Sequence, residues 1–377
     1  MVEIKEVKTK KDIKEFIEFP LRLYKTCPQF VPPLYGDEKK LIKNGGTGDD
    51  WISVFYLATE NGETVGRIQG IIQKKYNEKH SSSQVRFNRF DFVDDQAVAS
   101  ALIKAVEAWG ISHGMTELCG PLGFSDLDRE GLLIEGFDEN STFEEQYNFE
   151  YYGRLLEQAG LQKDVDWLEY ELSMPEKRNP MLARVAERSL ELNKLHIAST
   201  NISKRKYIEK YRDGFFDCLD ECYRHLYGTA PIAQDAQDEL ISQFMLILNK
   251  KYLIFICDED ENVVGFGLCF PAIGDAFKKS GGRITLPALL KLMKTVRDPR
   301  CIDLGLVAIR PEYQNSGLNA VIINILLDVL EEGKVKTCET NLNLETNTAV
   351  QSQWKYFTAR QHKRRRSYIK RIGEVLC

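Results

Sequence analysis

The sequence predicts an α/β (α+β) chain made of two copies of one unit in tandem. Two observations carry this. The first is a pair of matching hairpins. Glu60-Asn-Gly-Glu-Thr-Val-Gly-Arg-Ile-Gln-Gly70 follows the apolar run 54–58, and Asp260-Glu-Asn-Val-Val-Gly-Phe-Gly-Leu-Cys269 follows the apolar run 252–257. In each, a strand pattern meets a polar turn, then Val-Gly, then a second strand. The second observation is that strand, helix and strand patterns follow both hairpins. The matching glycines, Gly66 and Gly265, stand 199 residues apart in a chain of 377. That period is far too long for a solenoid repeat.

Element by element, the first copy reads as follows. After the hairpin come a strand over 85–93, a helix over 97–113 and a short strand over 117–119. Gly66 and Gly265 suit a strand that bends or that another backbone approaches closely. Segment 120–138 is acidic and carries Gly120, Gly123, Gly131 and Gly136. It lacks Gly-Lys-Ser/Thr, so it is no Walker loop, and Asp126 with Asp128 alone does not make a calcium loop. It reads as a structured loop with glycine turns. A lid or acceptor-binding loop is the alternative. Ser173-Met-Pro-Glu-Lys-Arg-Asn-Pro180 is the expected linker, giving domains 1–175 and 176–377. Helices follow over 181–193 and 205–227. In the second copy an insertion over 271–300 precedes a strand over 302–309, a helix over 318–332 and a strand over 336–344.

Charge and composition set the class. Lys+Arg number 51 and Asp+Glu 56, a net charge of −5. That argues against a general nucleic-acid binder. Nine cysteines are scattered, with Cys218 and Cys222 the closest pair and no Cys-x-x-Cys. They read as reduced thiols of a cytoplasmic protein, and Cys301 and Cys377 need no function. Five histidines without a cluster give no metal site to expect. The charged beginning has no apolar leader core, and no apolar run nears the roughly 20 residues that span a bilayer.

The segment that carries chemistry is Cys301-Ile-Asp-Leu-Gly-Leu-Val-Ala-Ile-Arg-Pro-Glu-Tyr-Gln-Asn-Ser-Gly-Leu-Asn-Ala320. A strand feeds a glycine turn and then an apolar helix. Such a junction presents free amides at a helix N-terminus, which suit a phosphate or pyrophosphate.

Here the chain resembles the GNAT superfamily of acyl-CoA N-acyltransferases, whose pyrophosphate loop reads Gln/Arg-x-x-Gly-x-Gly/Ala after Val-x-Pro-x-Tyr/Phe. Ile309, Pro311, Tyr313, Gln314 and Gly317 match, and Asn319 replaces the last Gly or Ala. The resemblance implies two tandem GNAT-like domains, each a mixed, mostly antiparallel sheet flanked by helices. It implies acyl-CoA as co-substrate, held by Val307, Ile309, Gln314, Asn315, Ser316, Gly317, Leu318 and Asn319. Downstream, Asn347, Val350 and Trp354 fall at a family spacing. Trp354 stands where a Tyr would protonate the departing thiolate, and Tyr356 lies nearby, out of register. Asp303 sits where some family members place a base. It could equally be a solvent-facing strand residue.

Alternation places Glu339, Asn341, Asn343 and Glu345 on one strand face, either lining an acceptor pocket or facing water from an edge strand. Glu345 is a second base candidate, and Tyr227 in Tyr223-Arg-His-Leu-Tyr-Gly228 is a candidate acceptor contact. The first copy lacks the loop: Asp94 and Asp95 would repel a pyrophosphate and look like helix caps. One cofactor site is therefore expected, in the second copy.

The stretch Gly-Pro-Leu-Gly-Phe-Ser-Asp over 120–126, with Gly-Leu-Leu-Ile-Glu-Gly-Phe over 131–137, resembles a bacterial family of two-domain GNAT-like proteins that includes the bacterial ceramide synthases. That resemblance implies N-acylation of a small-molecule or lipid amine, a long-chain amine among the candidates. A non-catalytic protein and an aminoacyl-transferring protein of the FemABX type are the rival readings. Helix pattern 287–297 puts Leu289, Leu290, Met293 and Val296 on one face, with Lys291, Lys294 and Arg297 elsewhere. It packs on its own core, covers an acyl chain, or makes a peripheral membrane contact. The run Lys363-Arg-Arg-Arg366 reads as a solvated tail, a CoA phosphate contact or a surface anchor.

Overall fold

The structure is a computed structural model that describes residues 1–43, 48, 50–125, 127–229, 232 and 234–373, with 235 and 236 in backbone only. Asp126 and Cys377 lie outside the described residues. The strands are β1 (Glu3–Glu6), β2 (Trp51–Glu60), β3 (Glu63–Gln73), β4 (Gln84–Phe92), β5 (Glu117–Gly120), β6 (Leu132–Glu135), β7 (Gln162–Ser173), β8 (His196–Ile197), β9 (Leu253–Cys257), β10 (Val263–Pro271), β11 (Cys301–Ile309), β12 (Thr337–Thr340), β13 (Asn343–Leu344) and β14 (Thr358–Arg371). The helices are α1 (Lys10–Leu23), α2 (Tyr35–Lys43), α3 (Lys74–His80), α4 (Gln96–Ser112), α5 (Tyr151–Gln158), α6 (Pro180–Leu192), α7 (Lys204–Tyr223), α8 (Gln234–Phe244), α9 (Gly274–Phe277), α10 (Leu286–Arg297), α11 (Asn319–Glu331) and α12 (Thr348–Gln351).

The chain divides into two compact units. One holds Met1–Leu168, Gly274–Leu290 and His362–Cys377; the other holds Glu169–Ile273 and Lys291–Gln361. The sequence reading cuts once, at 175/176, whereas the units part at 168/169, inside β7, and two later segments return to the first unit. The prolines of 173–180 have a local role: Asn179 caps α6 by accepting from the Met181 N–H, and Pro180 occupies its first turn.

In the first unit β1 to β4 pair antiparallel in chain order, and β5 adds parallel to β4, with Gln84 opposite Glu117. Helix α4 covers this sheet through Val98, Leu102 and Val106, which bury against Ile68, Phe87 and Phe92. Gly66 has a packing cause, because a Cβ there would lie 2.7 Å from Leu102 Cδ1. Asp95 caps α4 as the sequence suggests, accepting from the Ala97 N–H at 2.6 Å, while Asp94 pairs with Arg154 at 3.1 Å.

The basic run is neither tail nor anchor. It lies in β14, and its charges are matched inside the first unit. Lys363 (1% exposed) meets Glu145 at 2.7 Å, and Arg365 (0%) meets the same carboxylate at 3.2 Å. Arg364 and Arg366 each reach Asp166 at 2.8 Å. Alternating strand faces separate the four cations into two pairs, and each pair has its own carboxylate.

The second unit repeats the plan. Strands β8 to β11 pair antiparallel in chain order, and β12 adds parallel to β11, from Cys301 opposite Thr337 to Leu304 opposite Thr340. Helix α11 buries Val321, Leu327 and Leu330 in a core with Ile256, Ile302 and Cys338. Here the close approach is to backbone: a Cβ on Gly265 would lie 3.0 Å from the Ala308 oxygen. The strand expected over 336–344 is broken, since β12 ends at Thr340 and β13 is two residues long.

Candidate functional site in the second unit

The site begins with a defect in β11. Opposite β10, Leu304 pairs with Cys269 and Leu306 with Leu268, which leaves Gly305 as the extra residue of a bulge. On its other edge β11 keeps its partner only to Leu304, where the Asn341 N–H donates to the Leu304 oxygen at 3.2 Å. Beyond that point β12 turns away, and the edge of β11 carries backbone groups without a strand partner among the described residues.

Three consecutive residues of α7 stand along that edge. The Tyr223 hydroxyl accepts from the Val307 N–H at 3.3 Å and donates to the Val307 oxygen at 3.1 Å. The Cys222 thiol donates to the Ile309 oxygen at 3.3 Å, and Glu221 pairs with Arg310 at 2.6 Å. Val307 and Ile309 are only half-buried.

The loop after β11 is tightly built. Pro311–Tyr313 forms one 3-10 turn. Asn315 (φ 62°) and Gly317 (φ 88°) are left-handed, which gathers neighbouring amides into one concavity. Among the described residues, nothing accepts from the amides of Asn315, Gly317, Leu318 and Asn319. The loop is braced from below. Gln314 Nε2 donates to the Ile309 oxygen at 3.1 Å, the Ser316 hydroxyl to the Tyr313 oxygen at 2.5 Å, and Leu318 is 1% exposed. Helix α6 braces it from the side. The Ser189 hydroxyl donates to the Ser316 oxygen at 2.8 Å, and a Cβ on Gly317 would lie 3.1 Å from Val185 Cγ1. Arg184 and Arg188, both exposed, flank Val185 and Ser189 on α6. An uncharged cradle of amides at a helix start fits a diphosphate.

At the other end of β11 the acid groups gather. Asp303 is 7% exposed and pairs with Glu339 across β11 and β12. Ligand atoms of Cys301, Asp303 and Glu339 lie within 4.8 Å of one another, and the fully buried Glu169 carboxylate lies as close to Glu339. Burial first, and then the Asp303 charge, push the Cys301 thiol up to about 12. Carboxylates gathered this closely favour a proton or a cationic group between them.

The remaining residues named from sequence are placed as follows. Asn343 is buried, and its amide donates to Thr340 Oγ1 at 2.9 Å and to the Asn341 oxygen at 2.6 Å, so it holds the break between β12 and β13. The four-residue polar face of 339–345 therefore does not form, because the chain turns after Thr340. Glu345 is half-buried in the following turn, whose oxygens at Leu344 and Glu345 accept from Gln351 Nε2 at 2.8 and 3.2 Å. Asn347 caps α12 through the Val350 N–H at 3.2 Å. Trp354 is 8% exposed and belongs to the core, Tyr356 packs partly against that core, and Tyr227 is half-buried in the turn after α7.

Sequence reasoning missed Tyr223, Ser189, Val185 and Glu169. The stretch 223–228 holds two tyrosines, and nothing in its spacing says which of them meets a strand edge. The first unit has an equivalent edge at the end of β4, and it is plugged. Tyr152 accepts from the Phe92 N–H at 3.0 Å, Tyr151 donates to the Phe92 oxygen at 2.5 Å, and Phe92 and Tyr152 are both 0% exposed.

No protein-family model matches the chain. It is 27% identical over 371 residues to Protein YghO of Escherichia coli (strain K12), spanning 96% of this chain and 94% of that one. It is 22% identical over 315 residues to the bacterial ceramide synthase of Caulobacter vibrioides, spanning 82% and 81%. Among solved structures, a tandem GNAT protein from the clavulanic acid biosynthesis pathway superposes with a TM-score of 0.56 at 12% identity, over 99% of both chains. A probable N-acyltransferase of Enterococcus faecalis V583 gives 0.51 at 9% identity, over 99% of this chain and 73% of that one. The fold is that of tandem GNAT proteins, and in place of the separate sheet expected for each domain the strands form one large, mixed, mostly antiparallel sheet flanked by helices.

Proposed function

We propose that this chain is an acyl-CoA-dependent N-acyltransferase whose cofactor site lies in the second unit. The observation that carries the reading is the loop 314–319, with left-handed Asn315 and Gly317 and with amides at Asn315, Gly317, Leu318 and Asn319 that donate to nothing among the described residues. Acyl-CoA, when bound, supplies an acyl group already activated as a thioester.

The chain's own residues do the rest. The amides of 315 and 317–319, with the positive end of α11, hold the pyrophosphate. The Val307 and Ile309 backbone groups orient the extended arm, in the manner of a peptide added to a strand edge. Asp303 accepts a proton from the acceptor ammonium, with Glu339 and Glu169 drawing that cation to the site. Glu345 is the alternative base, and Tyr356 is the candidate acid. Asn341 and Tyr227 border the acceptor side. The plugged Phe92 edge supports a single cofactor site per chain.

For the acceptor we take a long-chain primary amine of the sphingoid type, on the strength of the likeness to the bacterial ceramide synthase. The test is release of free CoA thiol from acetyl-CoA and palmitoyl-CoA with a panel of short and long-chain amines. Turnover with a long-chain amine is expected, and Asp303→Asn should lower it by about 10²–10⁴-fold while acyl-CoA still binds. Binding without turnover on any amine would favour the non-catalytic reading. Absence of both would overturn the proposal.

A further inference from the structure

We propose that α10 and the turn before it form a surface that docks on an anionic lipid bilayer. This helix is apolar on two faces. One is packed, with Ala288 and Leu292 each 4% exposed. The other looks to water: Leu286 is 70% exposed, Leu290 64% and Met293 47%, and Ile284 just ahead of the helix is 70% exposed. Positions 286, 290 and 293 stand at i, i+4 and i+7, so they share one face. Periodicity alone groups Leu289, Leu290, Met293 and Val296. The structure rotates that stripe, leaving Leu289 and Val296 half-buried and opening Leu290 and Met293. Four large apolar side chains within ten residues form a patch, not scattered surface residues.

Charge names the occupant. Over 278–300 the sole acidic residue is Asp298, against seven Lys and Arg, of which Lys278 is taken up by Asp275 at 3.1 Å and Arg283 by Glu18 at 2.7 Å, in a chain whose net charge is −5. Lys294 and Arg297 are exposed on α10 beside the apolar stripe, and exposed Lys279 precedes it. A docking protein or a second copy needs the apolar face but not this basic border. An anionic membrane uses both: the stripe enters the acyl boundary while the long cationic side chains stay among the headgroups. This surface stands apart from the acyl-transfer reading and does not depend on it.

The experiment is co-sedimentation of the full chain with vesicles of phosphatidylcholine alone and of phosphatidylcholine with phosphatidylglycerol. The expected result is binding to the phosphatidylglycerol vesicles that weakens with salt, and at least about tenfold less binding to phosphatidylcholine alone. Leu286→Asp with Leu290→Asp should abolish it at an unchanged melting temperature, because both side chains are exposed. Lys294→Glu and Arg297→Glu should each weaken it roughly fivefold or more. Equal binding to both vesicles, no binding to either, or binding untouched by the double aspartate variant would overturn the proposal. So would a dimer, seen by light scattering, that the double variant dissociates while vesicles bind neither form. That outcome assigns the face to a second copy.

Discussion

The Tyr223 hydroxyl holds both backbone groups of Val307, accepting from the N–H at 3.3 Å and donating to the oxygen at 3.1 Å. A side chain thus stands where a strand partner of β11 would stand. A ligand laid along this edge from the 314–319 loop must displace it. Tyr223→Phe removes that competition, worth about 1 kcal/mol for a typical hydrogen bond. The variant should bind acetyl-CoA roughly fivefold tighter in calorimetry. Unchanged or weaker binding would mean that the arm does not use this edge.

Arg184 and Arg188 are exposed on α6, each one residue before a side chain that meets the loop, Val185 and Ser189 respectively. Coenzyme A carries a 3′-phosphate that its dephospho form lacks. Wild-type protein should prefer coenzyme A over 3′-dephospho-coenzyme A by about tenfold, in line with charge-assisted hydrogen bonds. Arg184→Ala with Arg188→Ala should erase the preference. A preference that survives in the double variant would place the 3′-phosphate elsewhere.

Trp354 is buried, and among the described residues nothing accepts from its indole N–H. Leaving such a donor unmet costs about 1–3 kcal/mol. Trp354→Phe keeps an aromatic ring against Phe357 and removes the unmet donor. The expected melting temperature is equal to or above that of the wild type, where a large-to-small core change would lower it by several degrees. A clear loss of stability would show that ring volume outweighs the orphaned donor.

Burial pushes the Glu144 carboxyl in the first unit up to about 7, against the pull of the Arg129 guanidinium. The native state therefore holds a proton that the unfolded chain, with its ordinary carboxylate, has released. Between the unfolded value near 4.5 and about 7 the unfolded state binds fewer protons, so this residue's contribution to stability falls as pH rises through that window. Glu144→Gln should flatten this part of the profile and raise the melting temperature at pH 8 relative to wild type. A variant whose pH profile matches the wild type would refute the shift.

Much of the fold was legible because the signals were local and periodic. The two Val-Gly hairpins and the strand into 309 sit where the residues place them, the helix expected over 318–332 runs one residue short at each end, and Asp95 caps α4 as its type suggests. What failed depended on partners distant in sequence. Lys363–Arg366 reads as a free cationic run until Glu145 and Asp166 are seen to neutralise it. Alternation extended β12 through Glu345 because nothing in the pattern 336–344 marks the turn that Asn343 fastens to Thr340.

The candidate site divides in the same way. Gly317 and its loop are visible as a motif, because a left-handed glycine between a strand and a helix leaves a sequence trace. Asp303 was visible by spacing, but its neighbour Glu339, and Glu169 beside Glu339, come from other strands, and Tyr223 reaches Val307 across 84 residues.

The most direct measurement is calorimetric titration of acetyl-CoA and palmitoyl-CoA into wild-type protein and Gly317→Val. The wild type should bind one acyl-CoA per chain. The variant should bind about tenfold or more weakly at a near-native circular dichroism spectrum, because valine is strained at φ 88° and would crowd Val185 beside the amide cradle. Two sites per chain, no binding by the wild type, or equal binding by a folded Gly317→Val would contradict a cofactor site built on the 314–319 loop.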